Sequence, residues 1–377
     1  MAHQKFPAVF MRGGTSKAVM FHRRDLPENR AAWDAIFLSA MGSPDLNGRQ
    51  LDGMGGGISS LSKVCILARS TRPNLDVDYT FAQVSVKEAR VDYSSNCGNM
   101  SSAVGPFAVD EQILSPPDGD TTVRIFNTNT EKTIHSTFGV RGGRALVEGE
   151  LEIPGVTGKG APIRLDFLEP AGASTGRLLP TGNPSDFLDV PGLGRVEVSM
   201  IDAANACVFV SAETLGIAGI EMPEEIERNV ELLSRLSAIR LQSSVAMGIS
   251  RSLQAAHRNV SLPFIGFVSP SQDARTLSGE PVSASAADIT VRMISNGQPH
   301  RAMPLTASIC VAAASQLQGT MVHRALRSGV AETLRIAMPS GVLQVAAEVR
   351  EEQGRWYVAR GSLFRTARRL FEGYVYA

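Results

Sequence analysis

Two residues stand out for chemistry: a cysteine at the start of an apolar helix and a lysine at the mouth of an apolar strand. The stretch Val91-Asp92-Tyr93-Ser94-Ser95-Asn96-Cys97-Gly98-Asn99-Met100-Ser101-Ser102-Ala103-Val104 reads as a strand, a tight polar turn and then a helix. Cys97 and the amides of Gly98, Asn99 and Ser101 therefore fall at a helix N-terminus. Unpaired N–H groups and the positive end of the helix dipole favour a carboxylate there, and the same field lowers a thiol pKa from about 8.5 toward neutrality. A cysteine can equally be a small core hydrophobe, but the flanking Asn, Gly and Ser residues are poor core formers. Lys63 closes the run Leu51-Asp52-Gly53-Met54-Gly55-Gly56-Gly57-Ile58-Ser59-Ser60-Leu61-Ser62-Lys63 and opens the strand Val64 to Ala68. Glycines let backbone amides crowd toward a ligand, although such runs also make ordinary loops.

A thiol and an amine on opposite sides of a small polycarboxylate could remove a proton from carbon next to a carboxylate and return one elsewhere. The enolate-like charge would spread onto carboxylates held by helix ends, and stabilisation of that kind is usually the largest catalytic term. Lys63 must lose its proton to act as a base, so its pKa must fall from about 10.4 by desolvation or a cationic neighbour. Arg12 and Lys17 are candidates for that neighbour, and a solvated strand-end charge is the plain alternative. Nucleophilic hydrolysis by cysteine would need a His base. His135, His257 and His300 show no spacing that singles one out, and His300, just before a second helix, reads as a substrate contact.

Several elements must position these groups. The first is a strand from Pro7 to Phe10, a turn Arg12-Gly13-Gly14-Thr15-Ser16-Lys17 and a strand Ala18 to Phe21. A helix from about Pro27 to Met41 follows, with Trp33, Ile36, Phe37, Ala40 and Met41 on one face. Val77 to Val91 alternates as a β-segment, and the helix after Cys97 runs to about Val109, with Gly105-Pro106 marking a kink or a new turn. Strands continue to Asp166, and the Gly- and Pro-rich Leu168 to Asn183 reads as a connection between lobes spanning residues 1–180 and 181–377.

The second half repeats the first in outline. Val198 to Val210 parallels the opening strand–turn–strand, Pro223 to Leu241 is an amphipathic helix, Pro263 to Val268 matches the strand after Lys63, and Val291 to Asn296 matches the strand before Cys97. Met303-Pro304-Leu305-Thr306-Ala307-Ser308-Ile309-Cys310 opens a second apolar helix, with Thr306 as a further substrate contact. Neither Lys63 nor Cys97 has a counterpart there, so the first lobe supplies acid and base. Cys65, Cys207 and Cys310 read as buried structural thiols.

Charge is balanced, with 37 Lys+Arg against 37 Asp+Glu, which argues against nucleic acid or an anionic membrane as partner. The opening Met1 to Pro7 has no hydrophobic signal core and no run of about 18 apolar residues occurs, so a cytoplasmic protein is expected. Four separated cysteines and six scattered histidines form no zinc, iron–sulfur or disulfide pattern, and no metal site is expected.

Met11-Arg12-Gly13-Gly14-Thr15-Ser16-Lys17, Gly56 to Val64, and Ser95 to Phe107, in that order, resemble the motifs of the PrpF family of 2-methylaconitate isomerases. That family also holds 4-oxalomesaconate tautomerases, 3-methylitaconate isomerases and aconitate isomerases. The resemblance extends through Leu179-Pro180-Thr181-Gly182-Asn183 to the closing Arg365 to Tyr376. It implies an α+β architecture of the diaminopimelate epimerase-like type: two pseudo-symmetric α/β lobes, the active site in the cleft between them, and no cofactor or metal. It puts the family's catalytic lysine on Lys63 and its cysteine on Cys97. Substrate carboxylates would be contacted by Thr15, Ser16, Ser62, Asn96, Gly98, Asn99 and Ser101. Related epimerases use a cysteine from each lobe, whereas the second-lobe position here is Met303.

The expected activity is a cofactor-independent isomerase that moves or rotates a C=C bond in a small unsaturated di- or tricarboxylate, acting alone or as a homo-oligomer. The rival readings are a two-base epimerase or racemase and a non-catalytic carboxylate-binding accessory protein. Within the family the substrate stays open.

Overall fold

Alternation of apolar and polar residues at period two, punctuated by glycine turns, makes β-strand the commonest regular structure of this chain, and two long apolar segments become buried helices. The computed structural model describes residues 4–327 and 333–377. Residues 1–3, which belong to the reading of the N-terminus, lie outside this range. The chain forms two compact units, residues 1–166 together with 364–377, and residues 167–363.

In the first unit, β1 (Lys5–Gly13) and β2 (Ser16–His22) form an antiparallel hairpin, and α1 (Trp33–Met41) leads back toward the sheet. β3 (Lys63–Arg69) runs parallel to β2 and antiparallel to β4 (Val77–Val84), and the short β5 (Val91–Asp92) pairs with β4. Helix α2 (Gly98–Asp110) follows, then the hairpin β6 (Gly119–Asn127) and β7 (Lys132–Arg141), with β6 parallel to β4. One sheet face closes on α1: Val19, Phe21, Val64, Ile66, Ala82 and Val84 pack with Trp33, Phe37 and Met41. Burying each large apolar side chain contributes roughly 1.5–3 kcal/mol. The alternate residues, Lys63, Cys65 and Leu67 on β3 with Gln83, Phe81 and Tyr79 opposite, face the other way. Every residue of α2 from 98 to 109 is buried.

The second unit has the same pairing pattern. β8 (Gly194–Ala203) and β9 (Asn205–Ser211) are antiparallel, β10 (Phe264–Pro270) is parallel to β9, β11 (Ile289–Ser295) is antiparallel to β10, β12 (Thr333–Met338) is parallel to β11, and β13 (Gly341–Glu352) is antiparallel to β12. Helices α3 (Pro223–Arg228) and α4 (Val230–Ala246) occupy the place of α1, and α5 (Leu305–Ser315), wholly buried, that of α2. The repeat read from the sequence is thus a repeat of strand directions. The final strand β14 (Ala367–Tyr376) returns to the first unit and pairs with β1.

Local chemistry set two helix boundaries away from their expected places. The helix expected from Pro27 begins at Trp33, because Asn29 caps a single 3-10 turn, its Oδ1 accepting from Ala31 N. The helix expected from Pro223 to Leu241 breaks at Asn229, whose Oδ1 accepts from Leu232 N and restarts the chain as α4. Gly105-Pro106 stays inside α2, where a Cβ on Gly105 would sit 2.4 Å from the Phe138 ring. Among the described residues no helix is long and apolar enough to cross a membrane.

Each unit also carries the same Asp–Arg clasp across its second parallel strand pair. Asp76 accepts from Arg124 N at 2.8 Å and Nη2 at 2.8 Å, and Asp288 accepts from Arg335 N at 2.8 Å and Nη2 at 2.6 Å. The Arg124 hydrogen bond holds the Asp76 carboxyl below its ordinary value. A carboxyl depressed in the folded state adds stability above its unfolded pKa of about 3.9 and loses it as pH falls through the lower folded value. Asp76→Asn is therefore expected to lower the apparent Tm at pH 7 by about 2–4 °C, the size left to a partly exposed pair after solvent screening. The difference from wild type should begin to shrink as pH falls below about 3.9 and vanish only below the lower folded value, which melting curves taken at a series of pH values from 7 downward will check.

Candidate functional site

Lys63 is the first residue of β3, and the loop before it is held by its own polar groups. The Asp45 carboxylate accepts from the amides of Asn47, Arg49 and Gln50. Gln50, fully buried, donates from Nε2 to Ser43 Oγ at 2.8 Å and Ser62 Oγ at 2.7 Å, and its Oε1 accepts from Gly57 N at 3.0 Å. Met54 N and Gly55 N donate to carbonyls of α1. Of the glycine amides expected to crowd toward a ligand, those of Gly55 and Gly57 are thus engaged within the protein itself. Gly53 serves close packing: a Cβ there would lie 2.1 Å from Gly42 N.

The Lys63 side chain is buried, with Nζ 4.9 Å from the Phe81 ring centroid and donating to Gln83 Oε1 at 2.5 Å. Cys97 is the N-cap of α2, in an extended conformation, and its side chain makes no capping hydrogen bond. Its carbonyl accepts from Ser101 N at 3.0 Å and Ser101 Oγ at 3.2 Å. Cys65, one inward-facing position along β3 from Lys63, reports on both groups. Burial first and then the Cys97 thiol push its pKa up, while Lys63 pulls it down. Lys63 and Cys97 therefore share one buried neighbourhood on the α2 side of the sheet. Cys65 itself, fully buried and raised, is a structural thiol as expected, and Cys207 and Cys310 are equally buried.

Around the first turn of α2 the expected carboxylate contacts divide into groups. Asn99 donates from Nδ2 to Thr15 Oγ1 at 3.1 Å, so the β1–β2 turn closes on the helix start. That approach needs glycine, since a Cβ on Gly13 would be 2.7 Å from Asn99 O and one on Gly14, at φ +51°, 2.3 Å from Asn99 Oδ1. Ser16 is buried at the end of the same turn. Asn96 accepts on Oδ1 from Asn127 Nδ2 at 3.0 Å. Asn127 in turn accepts from Asn129 N and Thr130 N, which fixes its amide orientation. Gly98 opens the helix, whereas the hydroxyls of Ser62 and Ser101 are engaged with Gln50 and the Cys97 carbonyl.

His300 and Thr306 lie in the second unit. Thr306, in the first turn of α5, accepts from Asn205 Nδ2 at 2.9 Å, the counterpart of the Asn99–Thr15 contact. His300 Nε2 is 2.5 Å from Ser295 Oγ, and its ring centroid is 6.3 Å from that of Phe264. The second unit begins its equivalent strand with Phe264 and caps its equivalent helix with Pro304, preceded by the buried Met303.

Sequence reasoning gave no role to Arg365, a buried cation set against Asn99 at the start of α2. It is 4% exposed, donates from Nε to Asn99 Oδ1 at 3.2 Å and from Nη1 to Phe364 O at 2.9 Å, and among the described residues no carboxylate pairs with it. Burial alone brings its pKa down to about 10, so it remains a cation at neutral pH. No local pattern could have found it, because the residue it meets lies in the first third of the chain. Gln83 and Asn127 were missed for the same reason.

The family model described as PrpF protein matches residues 3–377. The chain is 40% identical to 3-methylitaconate isomerase of Eubacterium barkeri, over 99% of this chain and 97% of that one. It is 39% identical to 2-methyl-aconitate isomerase of Shewanella oneidensis, over 98% and 96%. A crystal structure of methylitaconate-delta-isomerase superimposes with a TM-score of 0.80 at 40% identity, covering 100% of this chain and 96% of that one. A probable proline racemase from Agrobacterium radiobacter, 12% identical with a TM-score of 0.55 over 98% and 92%, shares the fold alone. The α+β architecture of paired α/β units is therefore the diaminopimelate epimerase-like fold expected from the sequence. Likeness this even from end to end, in sequence and in strand arrangement, makes the chain a member of the PrpF family and an isomerase.

Proposed function

We propose that this protein is a cytoplasmic enzyme that moves or rotates a C=C bond in a small unsaturated di- or tricarboxylate, with Lys63 and Cys97 as its acid–base pair. The observation that carries the reading is that a buried amine and a buried thiol share one neighbourhood beside a helix N-terminus and an unbalanced guanidinium. Methyl-substituted itaconates and aconitates, named for the relatives, are the first substrates to consider.

In the proposed step the Lys63 amine takes a proton from the allylic carbon. The electron pair of that C–H bond becomes the new C=C, and the old double bond shifts toward a carboxylate as an enolate. The Cys97 thiol then returns a proton to the other end of the allyl system, and the reverse assignment of the two groups balances equally. The α2 amides and Arg365 stabilise the developing negative charge without needing to reorganise. An epimerase would need a second thiol or base near Met303, and that side chain is a buried thioether.

Incubation in deuterated water with cis- and trans-aconitate, 2-methylaconitate, methylitaconate and 4-oxalomesaconate, followed by proton NMR, tests this reading. One of these is expected to incorporate deuterium at the allylic carbon and yield its double-bond isomer. Exchange in none of them would overturn it.

A further inference from the structure

The strand register puts Gln83 directly opposite Lys63, and its amide orientation is fixed. Gln83 Nε2 donates to Ser59 O at 3.0 Å and to Ser62 O at 2.9 Å, which uses both amide hydrogens on the two carbonyls that flank the approach to β3. Its Oε1 can then only face Lys63 Nζ, 2.5 Å away, and a flipped amide would set an oxygen against two carbonyls. The floor below Nζ is the Phe81 ring, from the same face of β4.

We propose that Gln83 is a positioning residue, a neutral acceptor that holds the Lys63 amine in place while leaving it free to lose its proton. This rests on the reading of Lys63 as the acid–base group. An ammonium and a neutral amine both donate to an amide oxygen, so the aim of Nζ survives titration. A carboxylate at the same point would stabilise the ammonium and lock the proton on.

The charged and titratable groups around Lys63 do not replace this acceptor. On β3 itself Cys65 is buried and protonated, Tyr79 on β4 is a buried phenol pushed above its ordinary value by burial, and Cys97 caps α2. Asp92 on β5 pairs with the far side of Gln83, two strands and about 10 Å from Lys63, and its Oδ1 accepts from Ser94 N. Lys17 on β2 stacks over Phe10. His22, Asp25 and Asp78 belong to the opposite end of the strand, where Asp78 pairs with Arg72.

The chain has only six lysines, so protein labelled with [13C]lysine gives a Cε spectrum in which Lys63 is identified by its loss in Lys63→Met. Gln83→Glu is expected to move the Lys63 titration up by about one pH unit or more, and Gln83→Met to move it down. Gln83→Met is also expected to lower kcat about 10-fold with KM unchanged. A Lys63 titration within about 0.3 pH unit of wild type in folded Gln83→Glu, or in Gln83→Met should the first fail to fold, would overturn the proposal. The titration needs no substrate. A shifted titration with no carboxylate isomerised would sink the functional reading, and with it the positioning role, while leaving the coupling of Gln83 to the Lys63 amine standing, whereas isomerisation with an unmoved titration would overturn the role of Gln83 alone.

Discussion

Replacing Lys63 by Met is expected to lower kcat by about 10³-fold, within the range a general base supplies, with the protein still folded. Met keeps the length and the contact with Phe81 but removes the amine proposed to take a proton from carbon. The substitution also leaves Gln83 Oε1 without its donor, a cost of roughly 1–3 kcal/mol if that oxygen stays dry. The double variant Lys63→Met, Gln83→Met removes that cost and controls for it. Cys97→Ala separates the two roles. If Lys63 takes the proton and Cys97 returns one, Cys97→Ala will still wash deuterium into substrate while forming no isomer, and Lys63→Met will do neither. The opposite pattern would exchange the roles, and Lys63→Met with more than a tenth of wild-type kcat would remove Lys63 from the chemistry.

The strands, both buried helices and their repetition were legible because each rests on local pattern. Alternation marks β3 and β4, and an unbroken apolar run marks α2 and α5. Local pattern also misled. Pro106 reads as an interruption, yet α2 is buried on all sides, and packing holds it helical through the proline. The glycines of the loop before Lys63 read either as amides crowding toward a ligand or as an ordinary loop, and what pattern could not show is that Gln50, a single polar residue at φ +52°, gathers Ser43, Gly57 and Ser62 together. What no local pattern holds is register. Gln83 is an unremarkable polar residue in an alternating strand until the β3–β4 pairing sets it against Lys63. The Asn96–Asn127 contact likewise depends on how β6 ends beside the α2 turn.

Arg365 is the strongest case of this kind, and Arg365→Met is expected to raise KM for a polycarboxylate about 10- to 100-fold while the melting temperature of the ligand-free protein holds or rises. The two effects have one cause. A guanidinium kept from water with no carboxylate beside it carries a desolvation cost in the empty protein, and a bound anion offsets that cost. A hydrogen bond to a charged group contributes about 1.5–3 kcal/mol, which sets the size of the KM change. Arg365 also acts through Asn99: with its Nε on Oδ1, the Asn99 amide can present Nδ2 only toward Thr15 and the helix mouth. Arg365→Lys restores a charge but not the fork that holds Asn99, so an intermediate KM is expected. Because the arginine stays protonated up to about pH 10, wild-type KM should be flat from pH 7 to 9 as far as this group is concerned. A drop of many degrees in Tm with KM unchanged in Arg365→Met would mean the guanidinium serves the fold alone, since a group that merely braces the turn around Gly14 has no reason to trade stability against binding.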